Sequence, residues 1–159
     1  MVPVDFQLEL MKEIEEITSE ITYKLASAEG GTKNGVTAYR QQLPVITADE
    51  EDADQFFPYA IIRLEGGETQ DDNDCWSVKT DILIGCYDDN QANDGHLDVL
   101  ETIQRITDRF AERPLLARKY YATQHIQWAL QDEDTYPYYF GGVEITFNLP
   151  KIGREDDYA

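Results

Sequence analysis

The stretch Trp76-Ser77-Val78-Lys79-Thr80-Asp81-Ile82-Leu83-Ile84-Gly85-Cys86-Tyr87 decides the fold. Trp76, Val78, Thr80, Ile82, Ile84 and Cys86 fall on one side of an extended chain, while Ser77, Lys79 and Asp81 begin the other. This alternation is that of a half-buried strand. Just upstream, residues 59–65 form a short apolar strand ended by Gly66-Gly67, and a polar loop over 68–74 carries Asp71, Asp72 and Asp74. The two strands read as a long hairpin at about 59–87.

Working outward, residues 5–28 read as a helix. Phe6, Leu10, Ile14, Ile17, Ile21 and Leu25 recur at spacings of 4, 4, 3, 4 and 4, one apolar stripe at helical period. Asp5 is placed to cap its start, and Gly30-Gly31 to stop it. Residues 36–43 fit a strand ended by Pro44, before an acidic loop from Asp49 to Asp54. A second helix over 95–112 carries Leu97, Leu100, Ile103, Ile106 and Phe110, and Pro114 stops it. Residues 120–130 form a strand with Ile126, Trp128 and Leu130 on one face. Residues 138–149 form the last, with Val143, Ile145, Phe147 and Leu149 inward. The sum is an α+β fold: a mainly antiparallel sheet of four to five strands, with two helices packed on one face. Residues 1–150 form one domain, and 151–159 a charged, mobile C-terminal tail.

The length of 159 residues suits that single domain, which buries roughly 70% of the surface its unfolded form exposes. Asp and Glu number 32 against 13 Lys and Arg, a net charge of −19. That excludes sequence-independent nucleic-acid binding, which uses cationic side chains to neutralise phosphates, and disfavours an anionic membrane surface. Apolar runs such as Ile82-Leu83-Ile84 are far short of the ~20 residues of a membrane-spanning helix. The N-terminus has neither the basic nor the apolar region of a secretory signal. Cys75 and Cys86, 11 positions apart along one strand, lie about 36 Å from each other when extended. They therefore stay free thiols, which fits a cytoplasmic setting.

No catalytic constellation stands out. Residues 90–101 mimic a calcium loop at several positions, but Ala92 occupies a ligand position. The plainer reading is that Asn93 or Asp94 caps the second helix. His96 and His125 sit on different elements with no metal-ligand spacing around them. Gly66-Gly67 and Gly141-Gly142 lack the Lys-Ser/Thr helix start of a phosphate loop; they mark a strand end and a close backbone approach within a strand. The dense patch Tyr136-Pro137-Tyr138-Tyr139-Phe140 fits two readings equally, an interface anchor or strand core plus turn. The chain reads as a non-enzyme with no cofactor and no metal.

Four segments together resemble a known family. They are Phe57-Pro58-Tyr59-Ala60-Ile61-Ile62-Arg63; the strand end Ile82 to Asp88; the helix Asp98 to Ile106; and the closing Tyr136-Pro137-Tyr138-Tyr139-Phe140-Gly141-Gly142 run through Phe147 to Pro150. The pattern is similar to that of tail terminator (neck) proteins of long-tailed bacteriophages and prophages. It covers about residues 55–150 and contains no catalytic signature.

The resemblance implies a virion protein, assembled in the host bacterial cytoplasm. It forms a homo-oligomeric ring, commonly a hexamer, on the end of the tail tube. There it ends tube polymerisation and offers the joining surface for the head-completion or connector protein, and DNA passes through without specific binding. The acidic charge fits a lumen that repels phosphate. Asp71, Asp72 and Asp74, or the acids of 49–54, are candidates to line the lumen or face a cation, and Tyr136, Tyr138 and Phe140 are candidate interface residues. Competing readings are another neck connector, a tail-tube subunit, and, from a different class, an acidic inhibitor that mimics DNA.

Overall fold

The computed structural model describes residues 2–27, 29–44, 53–70, 75–92 and 94–151. In chain order the elements are α1 (Val2–Ile17), β1 (Thr22–Lys24), β2 (Thr32–Asn34), β3 (Thr37–Arg40), a 3₁₀ turn (Ala53–Phe56), β4 (Tyr59–Glu68), β5 (Trp76–Tyr87), α2 (Leu97–Glu112), β6 (Leu115–Leu116), β7 (Tyr120–Leu130) and β8 (Tyr138–Leu149). The α+β class and the mainly antiparallel sheet stand as expected. Among the described residues the sheet has eight strands, not four to five. The strand expected over 36–43 is present as the shorter β3. The additional ones, β1, β2 and β6, are two or three residues long, too short for alternation to register in a sequence.

β5 is the spine. It pairs antiparallel with β4 from Tyr59 opposite Gly85 to Glu68 opposite Ser77. On its other side it pairs with β8 from Trp76 opposite Leu149 to Tyr87 opposite Tyr138. The expected long hairpin is therefore present, but β4 continues through Gly66-Gly67 instead of ending there, with a register shift between Leu64 and Gly66. β7 flanks β8, and β6 pairs only with the start of β7. β3 joins the edge of β4 in parallel, and β1 with β2 extends the sheet past the end of β4.

The first helix is shorter than its apolar stripe. α1 ends at Ile17, and Ile21, at the bend before β1, and Tyr23, within it, are both buried. Thr18 and Ser19 turn the chain: Thr18 Oγ1 donates to the Ile14 carbonyl (2.8 Å), and Ser19 Oγ to that of Glu16 (2.7 Å). The same two carbonyls accept the Thr18 and Ser19 backbone N–H groups at 3.2 and 3.1 Å, and the Ile21 N–H reaches back only to the Thr18 carbonyl at 2.9 Å, which closes the turn. The helix starts at Val2, so Asp5 lies in its first turn rather than capping it. α2 starts at Leu97, with His96 at the capping position and no side-chain cap. Asp94 takes part through its backbone, its carbonyl accepting the Leu97 N–H at 3.1 Å, while Asn93 lies outside the described residues.

Both helices feed one buried cluster. Phe6, Leu10 and Ile14 of α1 and Val99, Ile103, Ile106 and Phe110 of α2 join Ile62, Ile82, Ile84, Val143, Ile145 and Phe147. Phe147 sits between the two helices, its ring 4.8 Å from that of Phe6 and 5.3 Å from that of Phe110. The inward set on β8 is thus as the alternation required. On β7, Ile126 and Trp128 lie opposite Ile145 and Val143, but Trp128 is 56% exposed. No helix among the described residues is long and apolar enough to cross a membrane.

Candidate functional site

The opposite set of alternating residues builds a second surface. Antiparallel partners point to the same side of a sheet. The pairings Tyr59–Gly85, Ile61–Leu83 and Arg63–Asp81 therefore share a face with Phe140–Gly85, Gly142–Leu83 and Glu144–Asp81. The face divides into two halves.

One half is aromatic. Phe57 is its hub, with ring centroids 5.0 Å from Tyr59, 4.9 Å from Tyr138 and 5.9 Å from Phe140. Tyr87 packs on Tyr138 at 5.7 Å. The Tyr59 ring lies flat across Gly85, where an added Cβ would come within 2.3 Å of it. Burial pushes the Tyr59 hydroxyl up to about 12. Two of the three aromatic candidates, Tyr138 and Phe140, belong to this cluster and are half-buried. Tyr138 also donates its hydroxyl to Asp54. The third, Tyr136, sits apart on the preceding turn, 45% exposed, its hydroxyl donating to the Asp89 carbonyl at 2.7 Å. The patch is therefore both core and surface, divided by the turn at Pro137.

The other half is charged. Glu65, Asp81 and Glu144, from three adjacent strands, bring carboxylate oxygens within 4.8 Å of one another. Lys79 supplies the counter-charge, 3.3 Å from Glu144 and 3.4 Å from Glu65. Burial, then hydrogen bonding to Glu65, pushes the Asp81 carboxyl up to about 6. The bond from Asp81 lowers Glu65, and the Glu144 carboxylate raises Lys79. Below about pH 6 a proton held between Asp81 and Glu65, together with the Lys79 ammonium, offsets most of the repulsion among the three acids. These carboxylates are the described residues best placed to hold a cation, and Lys79 already fills that role. Alternation alone placed Lys79 and Asp81 together. Adding Glu65 and Glu144 required the registers of β4 and β8 against β5.

Between the halves, Leu83, Ala129 and Gly142 form the floor of a shallow groove of about 450 Å³ along β7. The thiol of Cys86 faces the core, and burial raises it well above the usual range, which makes it a poor nucleophile. His125 lies on exposed β7 with Gln127 as its side-chain neighbour. Asp71, Asp72 and Asp74, the acidic lumen candidates, lie outside the described residues, as do Asp49 to Asp52.

The chain matches no protein-family model and no curated protein. Its functional reading rests on its own residues and on the resemblance they carry.

Proposed function

We infer that this chain is a structural ring subunit of the tail terminator kind. It would sit at the end of a phage tail tube, end its growth, and present a surface to the head-completion protein. The observation that carries the reading is the closing segment 136–150. Its aromatic half joins Phe57 and Tyr59 across the sheet, and Leu83 and Tyr87 pack there too, so three of the four segments of the resemblance come together in one surface.

Two further features support it. The side chains of both helices share one cluster, and we read them as covering one face of the sheet, which leaves the aromatic and charged face for a neighbour. The face is broad and shallow, as protein–protein contacts are, rather than an enclosed ligand cavity. The net charge of −19 suits a passage for DNA that does not retain it.

The test is light scattering on the full chain at low salt, then with added salt and Mg²⁺, followed by mixing with growing tail tubes. A discrete closed oligomer, and tubes that stop lengthening once it is added, is the expected outcome. Open-ended growth would replace this reading with a tube subunit. Stoichiometric capture of a basic nuclease by a persistent monomer would replace it with an acidic inhibitor.

A further inference from the structure

The acids are unevenly placed along the chain. Residues 30–48 and residues 113–131 contain no Asp or Glu, though the chain has 32; their charged residues are Lys33 and Arg40 in the first, and Arg113, Arg118 and Lys119 in the second. The fold carries these two stretches to opposite ends of one strand path, which begins at β2 and ends at β7 and β6.

Both ends are open. Among the described strands β2 pairs only with β1, and β7 from residue 122 onward pairs only with β8. The edge of β3 is different: Glu15 Oε2 accepts the Ala38 N–H at 2.9 Å, so α1 covers it. Natural edge strands are commonly protected by charges, proline or irregularity. Residues 126–130 of β7 have no Lys, Arg, Asp, Glu or Pro, and their register with β8 is regular beyond the irregularity between Ala122 and Ile126. Gln127, Trp128 and Ala129 are exposed. The groove floored by Leu83 and Gly142 runs beside them.

We propose that copies of this chain associate head to tail, the β7 edge of one (residues 126–130) adding to the β2 edge (Thr32–Asn34) of the next. The proposal rests on the ring reading above and names its interface. Charge selects the occupant. Two copies at −19 repel wherever ordinary surface meets ordinary surface, and these two edges bring their backbones together with no carboxylate on either strand. Geometry selects the pairing. Joining opposite ends of a sheet is a heterologous contact that repeats from copy to copy and closes into a ring when the rotation allows, whereas β7 against β7 would stop at a dimer.

The experiment uses two variants of the full chain. One carries Gln127→Lys and Ala129→Lys on β7, the other Thr32→Lys and Asn34→Lys on β2; all four positions are exposed. Added lysines reduce the net negative charge, so general electrostatics would make both variants associate more readily than the parent. The proposal expects the reverse. Under salt conditions where the parent forms its closed oligomer, each variant alone has the mass of one chain, with an unchanged circular dichroism spectrum and a cooperative thermal transition. An equimolar mixture of the two gives dimers, because one intact β7 edge then meets one intact β2 edge.

A variant that assembles like the parent overturns the interface and leaves the ring reading standing. A β2 variant that forms dimers alone overturns head-to-tail pairing in favour of β7 with β7. A parent that stays a single chain at every salt concentration, and leaves tail tubes growing, overturns the ring reading and the interface together.

Discussion

Arg109 donates through Nε to Glu13 at 2.6 Å, tying α2 to α1 where the guanidinium is only 8% exposed and the carboxylate 19%. The same guanidinium donates to the Arg113 and Leu115 carbonyls, satisfying the chain just past the end of α2. Removing one partner of a buried pair leaves the other charge uncompensated, at a cost of about 3–5 kcal/mol. Glu13→Ala is expected to lower stability by about 3 kcal/mol, measured by urea unfolding. Because a Gln side-chain oxygen can still accept from Arg109 Nε, Glu13→Gln should cost clearly less. Equal losses for the two variants would show that the charge, and not the hydrogen bond, carries the contribution.

Thr80 presents the opposite case. It is fully buried, and among the described residues its hydroxyl has no hydrogen-bond partner. Burying an unsatisfied polar group costs about 1–3 kcal/mol. Thr80→Val keeps the shape and the β-branch and removes the hydroxyl, so it is expected to raise stability by about 1 kcal/mol. A fall in the urea midpoint would mean that a water meets the hydroxyl inside the core.

At Gly141 the side chains of α2 lie close against the sheet. A Cβ there would stand 2.8 Å from Val99 Cγ1 and 3.0 Å from the Ala129 carbonyl oxygen. The side chain of Val99 can shift, but the carbonyl belongs to the β7 ladder. Gly141→Ala is expected to cost about 1–3 kcal/mol through overpacking. A double-mutant cycle with Val99→Ala should show favourable coupling, since the smaller neighbour relieves part of the clash. Strict additivity would place the strain at the backbone instead.

Asp81 makes stability depend on pH. Its carboxyl is pushed from an ordinary 3.8 up to about 6, so the folded chain holds this proton more tightly than the unfolded chain. The resulting stabilisation is fully present below the unfolded value and is lost as pH rises through about 6. Asp81→Asn should therefore flatten the stability profile between about pH 4 and pH 6. It should also raise stability at pH 7 by on the order of 1 kcal/mol, the full shift being reduced because the group is partly open to water. Denaturant unfolding across that range measures both effects. A loss of stability at pH 7 would show that the ionised carboxylate is held by Lys79 more strongly than the buried site penalises it.

β5 and β8 were legible in the sequence because each alternates buried residues with more exposed ones. β5, β7 and β8 begin and end where alternation put them. The end of α1 was not, because Ile17, Ile21 and Leu25 keep helical spacing after the backbone has turned. The burial of Ile21 and Tyr23 fits a strand equally well, and only the turn at Thr18 and Ser19 separates the two readings. Of the candidate site, Tyr138 and Phe140 were readable as an aromatic cluster. Their partner Phe57 and the row Glu65, Asp81 and Glu144 were not, because sequence gives the side of a strand but not the register between strands.

β8 occupies the middle of the sheet, between β5 and β7, yet it is the last of the described strands to leave the ribosome. The β4–β5 hairpin emerges much earlier. At about 5–20 residues per second, the side of β5 that will receive β8 waits several seconds without its partner. During that interval a nascent copy on a neighbouring ribosome presents the same vacant edge. A fold whose final strand must be threaded into its centre is most exposed to mispairing while it is being made. Codons that slow translation just before residue 138 would lengthen that exposure and lower the soluble yield without altering the finished protein.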